Sequence, residues 1–174
     1  MRARPGWVLL ACLVGLACSG PPTAPPPTQA PGEWREFEGS WSATGTRHTL
    51  QLGPGHQASI FNLSGSLLLT GQRGLGVGFR AEVIGLADSQ AGGTARVVWT
   101  DERGDRVFSE LRGSAIGTGA QIAGTIVGGT GRYAGVTGEY ELRWRWVVQT
   151  EGGTISGRTE SFKGRAKLAA AAGG

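Results

Sequence analysis

Beyond residue 18 the chain has no cysteine, since Cys12 and Cys18 are its only two. The body can therefore hold neither a disulfide framework nor a thiolate zinc or redox centre. Histidine is nearly as scarce: His48 and His56 stand eight apart across Gly53-Pro54-Gly55, with no cysteine or acidic cluster to complete a metal site. No metal and no cofactor are expected. Charge is sparse as well. The formal +4 comes from 17 Lys and Arg against 13 Asp and Glu, and without Arg2 and Arg4 of the leader it falls to about +2. An excess that small gives no nucleic-acid footprint. There is no apolar run long enough for an ordinary spanning helix, no Gly-x-Ser-x-Gly nucleophile turn, and no sustained helical spacing of apolar residues after Trp34.

What is present begins with a leader. Arg2 and Arg4 precede an apolar run, Val8 to Ala17, of signal-peptide length. It ends in Gly15-Leu16-Ala17-Cys18, which resembles the lipobox of bacterial lipoproteins, with Gly15 where leucine is usual. Leu9-Leu10-Ala11-Cys12 fits the pattern too, but cleavage there leaves almost no apolar core. The resemblance implies a signal peptide over 1–17 and a lipidated Cys18. It also implies anchoring in the bacterial cell envelope, on the periplasmic side of an outer membrane; plain secretion is the alternative. Residues 18–33 include Pro21 to Gly32, which is rich in proline and free of apolar periodicity. Locked φ angles favour an extended polyproline stalk between anchor and domain.

From residue 34 to 168 apolar and polar residues alternate between glycine-bearing breaks, which predicts a single all-β domain. The strands are expected at Phe37 to Leu52, with a break near Gly45, then Ala58 to Thr70, Val77 to Ala87, Ala95 to Thr100, Arg106 to Arg112, Gln121 to Val127, Gly138 to Gln149 and Ile155 to Leu168. About eight strands with short connections suit a closed antiparallel up-and-down barrel. Asp101 to Asp105 reads as a hairpin turn, and residues 169–174 as a tail with nothing to bury. The clearest period-2 pattern puts Tyr140, Leu142, Trp144, Trp146 and Val148 on one face, opposite Glu139, Glu141, Arg143 and Arg145.

The stretch Gly128-Gly129-Thr130-Gly131-Arg132-Tyr133, with Gly138 five residues on, resembles the glycine-rich turn of the allene oxide cyclase and dirigent barrels. Its glycines permit a kinked strand and a tight connection, and Tyr133 is placed to tuck back as a plug. The resemblance implies an eight-stranded barrel, often oligomeric, whose hydrophobic cavity binds an unsaturated lipid or phenolic and steers its cyclisation or coupling. It carries over no catalytic residue, because the polar groups of that chemistry lie outside the matched stretch. Gly39-Ser40-Trp41 resembles, more weakly, the Gly-x-Trp of calycins, which implies a tryptophan closing the barrel floor against a late arginine, here Arg158 or Arg165.

Candidate ligand-binding residues are therefore Phe61, Phe79, Trp99, Trp144 and Trp146, as the wall of an interior cavity; a packed core is the other reading of the same stripe. For acid–base work the candidates are carboxylates in strands. Glu82, Glu139 and Glu141 oppose the aromatic faces and read as exterior partners of Arg80, Arg143 and Arg145. Glu110 shares a face with Phe108, and Glu160 with Phe162, so either is a candidate interior acid. The expected activity is binding of a small hydrophobic ligand without catalysis; the alternatives are an isomerase or cyclase and a structural envelope module with a packed barrel.

Overall fold

The computed structural model describes residues 32–71, 76–113 and 120–169. The signal peptide, Cys18, most of the stalk and residues 170–174 lie outside the described residues. Eight strands follow in order: β1 (Arg35–Gly53), β2 (His56–Gly71), β3 (Gly76–Asp88), β4 (Gly92–Asp101), β5 (Arg106–Gly113), β6 (Ala120–Gly129), β7 (Thr137–Gln149) and β8 (Thr154–Lys167). Each pairs antiparallel with the next, and β8 returns to β1, so the sheet closes as an up-and-down barrel with no free edge. The expected break at Gly45 is absent: β1 runs through it, paired with Leu63 on one side and Ile155 on the other.

Alternation decides which way each side chain points. Tyr140, Leu142, Trp144 and Trp146 of β7 are buried, as are Phe61, Leu63 and Leu67 of β2 and Phe79, Ala81 and Val83 of β3. The intervening residues, such as Arg80, Glu82, Glu139 and Arg143, are exposed. An apolar interior under a charged exterior is the reverse of a membrane-spanning barrel, and no helix among the described residues is long and apolar enough to cross a bilayer.

Five register shifts interrupt the ladders among the described residues, and three of them bear on the faces of β5 to β8. Between Arg143 and Trp144 of β7, the β8 partner jumps from Ser161 to Thr159, leaving Glu160 as the extra residue. A second lies between Trp146 and Val148, and Val148 is exposed although it continues the aromatic row. The third sits at Val127 of β6, where Phe108 faces Gly128 but Ser109 faces Ile126. Each extra residue flips the parity beyond it.

The barrel has two unlike ends. One holds the entry at Gly32, the β4–β5 hairpin, the segment between β6 and β7, and the chain beyond β8. The other holds the Pro54-Gly55 turn, the β3–β4 turn, the end of β5 at Gly113, the start of β6 at Ala120, and the β7–β8 turn. These are the plugged end and the open end below.

Candidate functional site

The plugged end is built by the glycine-rich stretch. After β6 the chain forms one 3₁₀ turn, Gly131–Tyr133, before β7 begins at Thr137. Gly131 sits at φ 53°, and a Cβ there would lie 1.8 Å from Asp105 Oδ1, so only glycine lets the segment press on the β4–β5 hairpin. Thr130 exchanges hydrogen bonds with the backbone of Arg106: its amide donates to the Arg106 carbonyl at 2.8 Å, and the Arg106 amide donates to its hydroxyl at 2.9 Å. Arg132 donates through Nε and Nη2 to Asp101 Oδ2 at 2.8 and 2.7 Å. Tyr133 packs its ring 5.7 Å from Phe79 and its Cβ against Gly129, and Gly138 pairs closely with Ala166.

Asp101 is the anchor of this plug, with its side chain only 1% exposed. Desolvation pushes its carboxyl up, but hydrogen bonds from the Arg103 and Asp105 amides and from Arg132 outweigh that and hold it below the usual range. Burial is what raises the Tyr133 hydroxyl. These contacts hold the stretch across one end of the barrel.

Behind the plug the interior is filled with rings. Phe79 and Trp99 lie 6.0 Å apart, Trp99 and Tyr140 5.3 Å, and Tyr140 stacks on Phe162 at 5.0 Å. The Tyr140 hydroxyl meets Ser109 at 2.7 Å, the one buried side-chain to side-chain hydrogen bond among the described residues. Burial pushes that hydroxyl far above the ordinary tyrosine value, with Ser109 offsetting part of the rise.

The open half is different. Trp144 packs at 4.6 Å on Trp41 and edge-on at 5.6 Å against Trp146. Phe61, Trp144 and Trp146, with Trp41, Leu111 and Ile122, line a cavity of about 30 Å³ next to Gly93 and Gly113 at the rim. The Nε1 groups of Trp41 and Trp144 are buried with no hydrogen-bond acceptor. Arg47 stands over the Trp146 ring at 5.9 Å and donates to Gln149 Oε1 at 2.8 Å, which places a cation at the mouth.

The five sequence candidates are thus divided. Phe61, Trp144 and Trp146 share the cavity, whereas Phe79 and Trp99 belong to the filled half. Trp41 was missed as a wall residue, although its inward parity with Ala43 was readable. It packs on Trp144 rather than on an arginine: Arg165 goes instead to Glu139 and to Trp34, and Arg158 is exposed.

The interior acids expected at Glu110 and Glu160 do not exist. Val107, Ser109 and Leu111 take the inward row of β5, so Glu110 points out and pairs with Arg96 at 3.1 Å. Glu160 is the bulge residue of β8 and reaches Arg145 at 3.5 Å on the outside, while Phe162, beyond the bulge, points in. Glu82 pairs with Arg80 as expected, but Glu139 takes Arg165 and Glu141 takes Gln121, so Arg143 has neither. His56 binds Asp88 at 3.0 Å and His48 is exposed, and no group of three or more potential metal ligands occurs among the described residues. Compared with protein-family models, curated proteins and solved structures, the chain matches none.

Proposed function

We propose that this chain is a non-catalytic binding module of the bacterial cell envelope, anchored through Cys18. On this reading it takes the apolar end of a small ligand into the open end of its barrel, at Phe61, Trp144 and Trp146. The observation that carries the reading is the cavity of about 30 Å³ in a wall of aromatic and aliphatic side chains, in the half of the barrel away from the plug. By this measure the space holds roughly two water molecules. A chain terminus enters with small side-chain adjustment, a single ring only if the walls move apart, since a cavity that takes benzene is about 150 Å³, and a whole fatty-acid chain does not enter. The unpartnered indole N–H groups of Trp41 and Trp144 favour a ligand with one acceptor oxygen over a plain hydrocarbon. Arg47 at the mouth favours an anionic remainder. The resemblance of Gly128 to Gly138 to the allene oxide cyclase and dirigent turn supports an apolar interior site. The isomerase or cyclase alternative has less behind it, because Glu110 and Glu160 both point outward.

Titration of the purified chain with phenol, toluene and decanoate, read by tryptophan emission, tests this. Saturable shifts are expected with phenol strongest per atom, and Leu111→Trp, which fills the cavity, abolishes them. If no ligand gives a saturable shift up to about 10 mM, the ligand-efficiency ceiling leaves no useful site. The second reading, a packed structural module, then holds; the ring cluster of Phe79, Trp99, Tyr140 and Phe162 already fits it.

A further inference from the structure

The closed part of the sheet has no free edge, but β1 outruns the strand that closes it. Pairing of β1 with β8 ends at Thr46 opposite Thr154, and the last contact on that side is the Arg47 amide, which donates to the Gly153 carbonyl at 2.8 Å. From there β1 goes on to Gly53 with β2 as its one neighbouring strand. β2 is covered on its other side almost to its start. Ala58 pairs with Asp88, the Ser89 amide donates to the Gln57 carbonyl at 2.9 Å, and the Gln57 amide donates to the Ser89 hydroxyl at 3.0 Å. The hairpin therefore has one bare edge, on β1 from His48 onward.

Backbone groups of successive residues in a strand point to opposite sides. The Arg47 amide points to the β8 side, and the Thr46 amide to the β2 side, where it meets Asn62 Oδ1 at 3.1 Å. Thr49 and Gln51 share the parity of Arg47, so their N–H and C=O groups face out along the bare edge. The Gly53 carbonyl already accepts from the Gln51 side chain. Lysine, proline and inward-pointing charge, which keep natural edges single, are all missing from His48 to Leu52, and the bulge between Gln51 and Gly53 lies past these groups. Leu50 and Leu52 stand on the same stretch, 54% and 53% exposed.

The edge itself selects its occupant. An antiparallel strand edge is its own complement under a two-fold axis, so a second copy offers Thr49 and Gln51 matching donors and acceptors and brings the leucines of both copies together. Charge fits this pairing. On the bare side the neighbouring charges are Arg47 and, in the β7–β8 turn, Glu151; in an antiparallel pair they meet the uncharged Gly53-Pro54-Gly55 tip of the other copy, and no like charges face each other. The chain before Gly32 does not fit: it joins the barrel at the plugged end, and its six prolines between Pro21 and Pro31 have no N–H to donate.

We propose that two copies of this chain join through the bare edge of β1, His48 to Leu52, as an antiparallel pair that continues the two hairpins into one four-stranded ribbon. A contact of this length is small against the roughly 800 Å² per partner of a stable complex, so the pair forms and parts with concentration. The proposal needs neither the cavity nor lipidation of Cys18. Sedimentation velocity of the full chain from about 10 μM to 1 mM, with Cys12 and Cys18 kept reduced, tests it. Gln51→Pro removes an edge donor that the β2 ladder does not use, and Leu50→Lys puts a charge on the edge. Ile84→Lys, on the outer wall of β3 where the native side chain is 66% exposed, is the control. Each is first checked for an unchanged thermal midpoint. Expected is a reversible native dimer whose dissociation constant rises about tenfold or more in both edge variants and stays unchanged in the control. Amide exchange gives a readout without any variant. The Thr49 and Gln51 amides should slow about threefold or more between the low and high concentrations, and the Arg47 amide, already bonded to Gly153, should not. A native monomer throughout overturns the proposal, as does equal weakening in Ile84→Lys, or association that leaves exchange at Thr49 and Gln51 unchanged.

Discussion

The buried hydrogen bond between Ser109 and Tyr140 makes a sharp test of how this interior is held. Ser109 is 1% exposed and Tyr140 3%, and their oxygens lie 2.7 Å apart with rings on either side. Ser109→Ala strips the tyrosine hydroxyl of its partner where water cannot replace it, and an orphaned buried group costs about 1–3 kcal/mol. Tyr140→Phe does the same to Ser109. The double variant removes both polar atoms and leaves the ring stack on Phe162 intact, so it should cost less than the two singles added. The expected coupling is about 1–2 kcal/mol. For a barrel of this size each kcal/mol moves the thermal midpoint by roughly 3–4 °C. The midpoint of each single variant should therefore fall by about 3–12 °C, and that of the double should fall by clearly less than the two losses added. Calorimetry or urea unfolding of the four proteins reads this directly. Strictly additive losses would mean that the two hydroxyls do not depend on each other, and the reasoning that the plug-side core is dry would fail.

Other consequences follow from single groups. Hydrogen bonds from the Ala91 and Gln90 amides, then His56, hold the Asp88 carboxyl down at about 2; its contribution is present above the unfolded value near 4 and is lost as pH falls toward 2. Asp88→Asn should flatten that acid limb in denaturant melts, and an unchanged limb would exclude Asp88 from it. In alkali the sign is reversed: burial raises the Tyr140 hydroxyl, so stability is complete below the ordinary tyrosine value near 10 and declines above it. Phenolate absorbance should therefore appear together with unfolding, and Tyr140→Phe should reduce the decline; phenolate from Tyr140 in a folded barrel would contradict its burial. Gly124→Ala puts a Cβ 2.1 Å from Tyr140 Cζ, and overpacking of that degree costs about 3 kcal/mol or more. A thermal midpoint within about 2 °C of native would show that the ring moves aside freely.

The strands were legible because a half-buried sheet writes its period into the chain. Tyr140-Glu141-Leu142-Arg143-Trp144 needs no structure to sort inside from outside. What parity cannot show is where it changes. Glu160 is read as an inward acid because it shares a face with Phe162, and one extra residue in β8 separates the two. Phe108 misleads differently: it is a large ring on the outward row of β5, while small Ser109 takes the inward place beneath Tyr140. The candidate wall was half legible. Inwardness of Phe61, Phe79, Trp99, Trp144 and Trp146 follows from alternation, but the level each reaches along the barrel depends on register and tilt, and level decides who shares a cavity.

That difference in level bears on function. The glycine-rich stretch closes one end by fitting against Asp101, Asp105 and Phe79, and the rings of the adjacent half leave no comparable space. On the proposed reading a ligand enters at the far end, beside Arg47 and Trp146. The chain itself enters the barrel at the plugged end, where the Gly32 amide donates to the Leu168 carbonyl at 3.1 Å. Entry of the chain and entry of a ligand are thus separated by the length of the barrel.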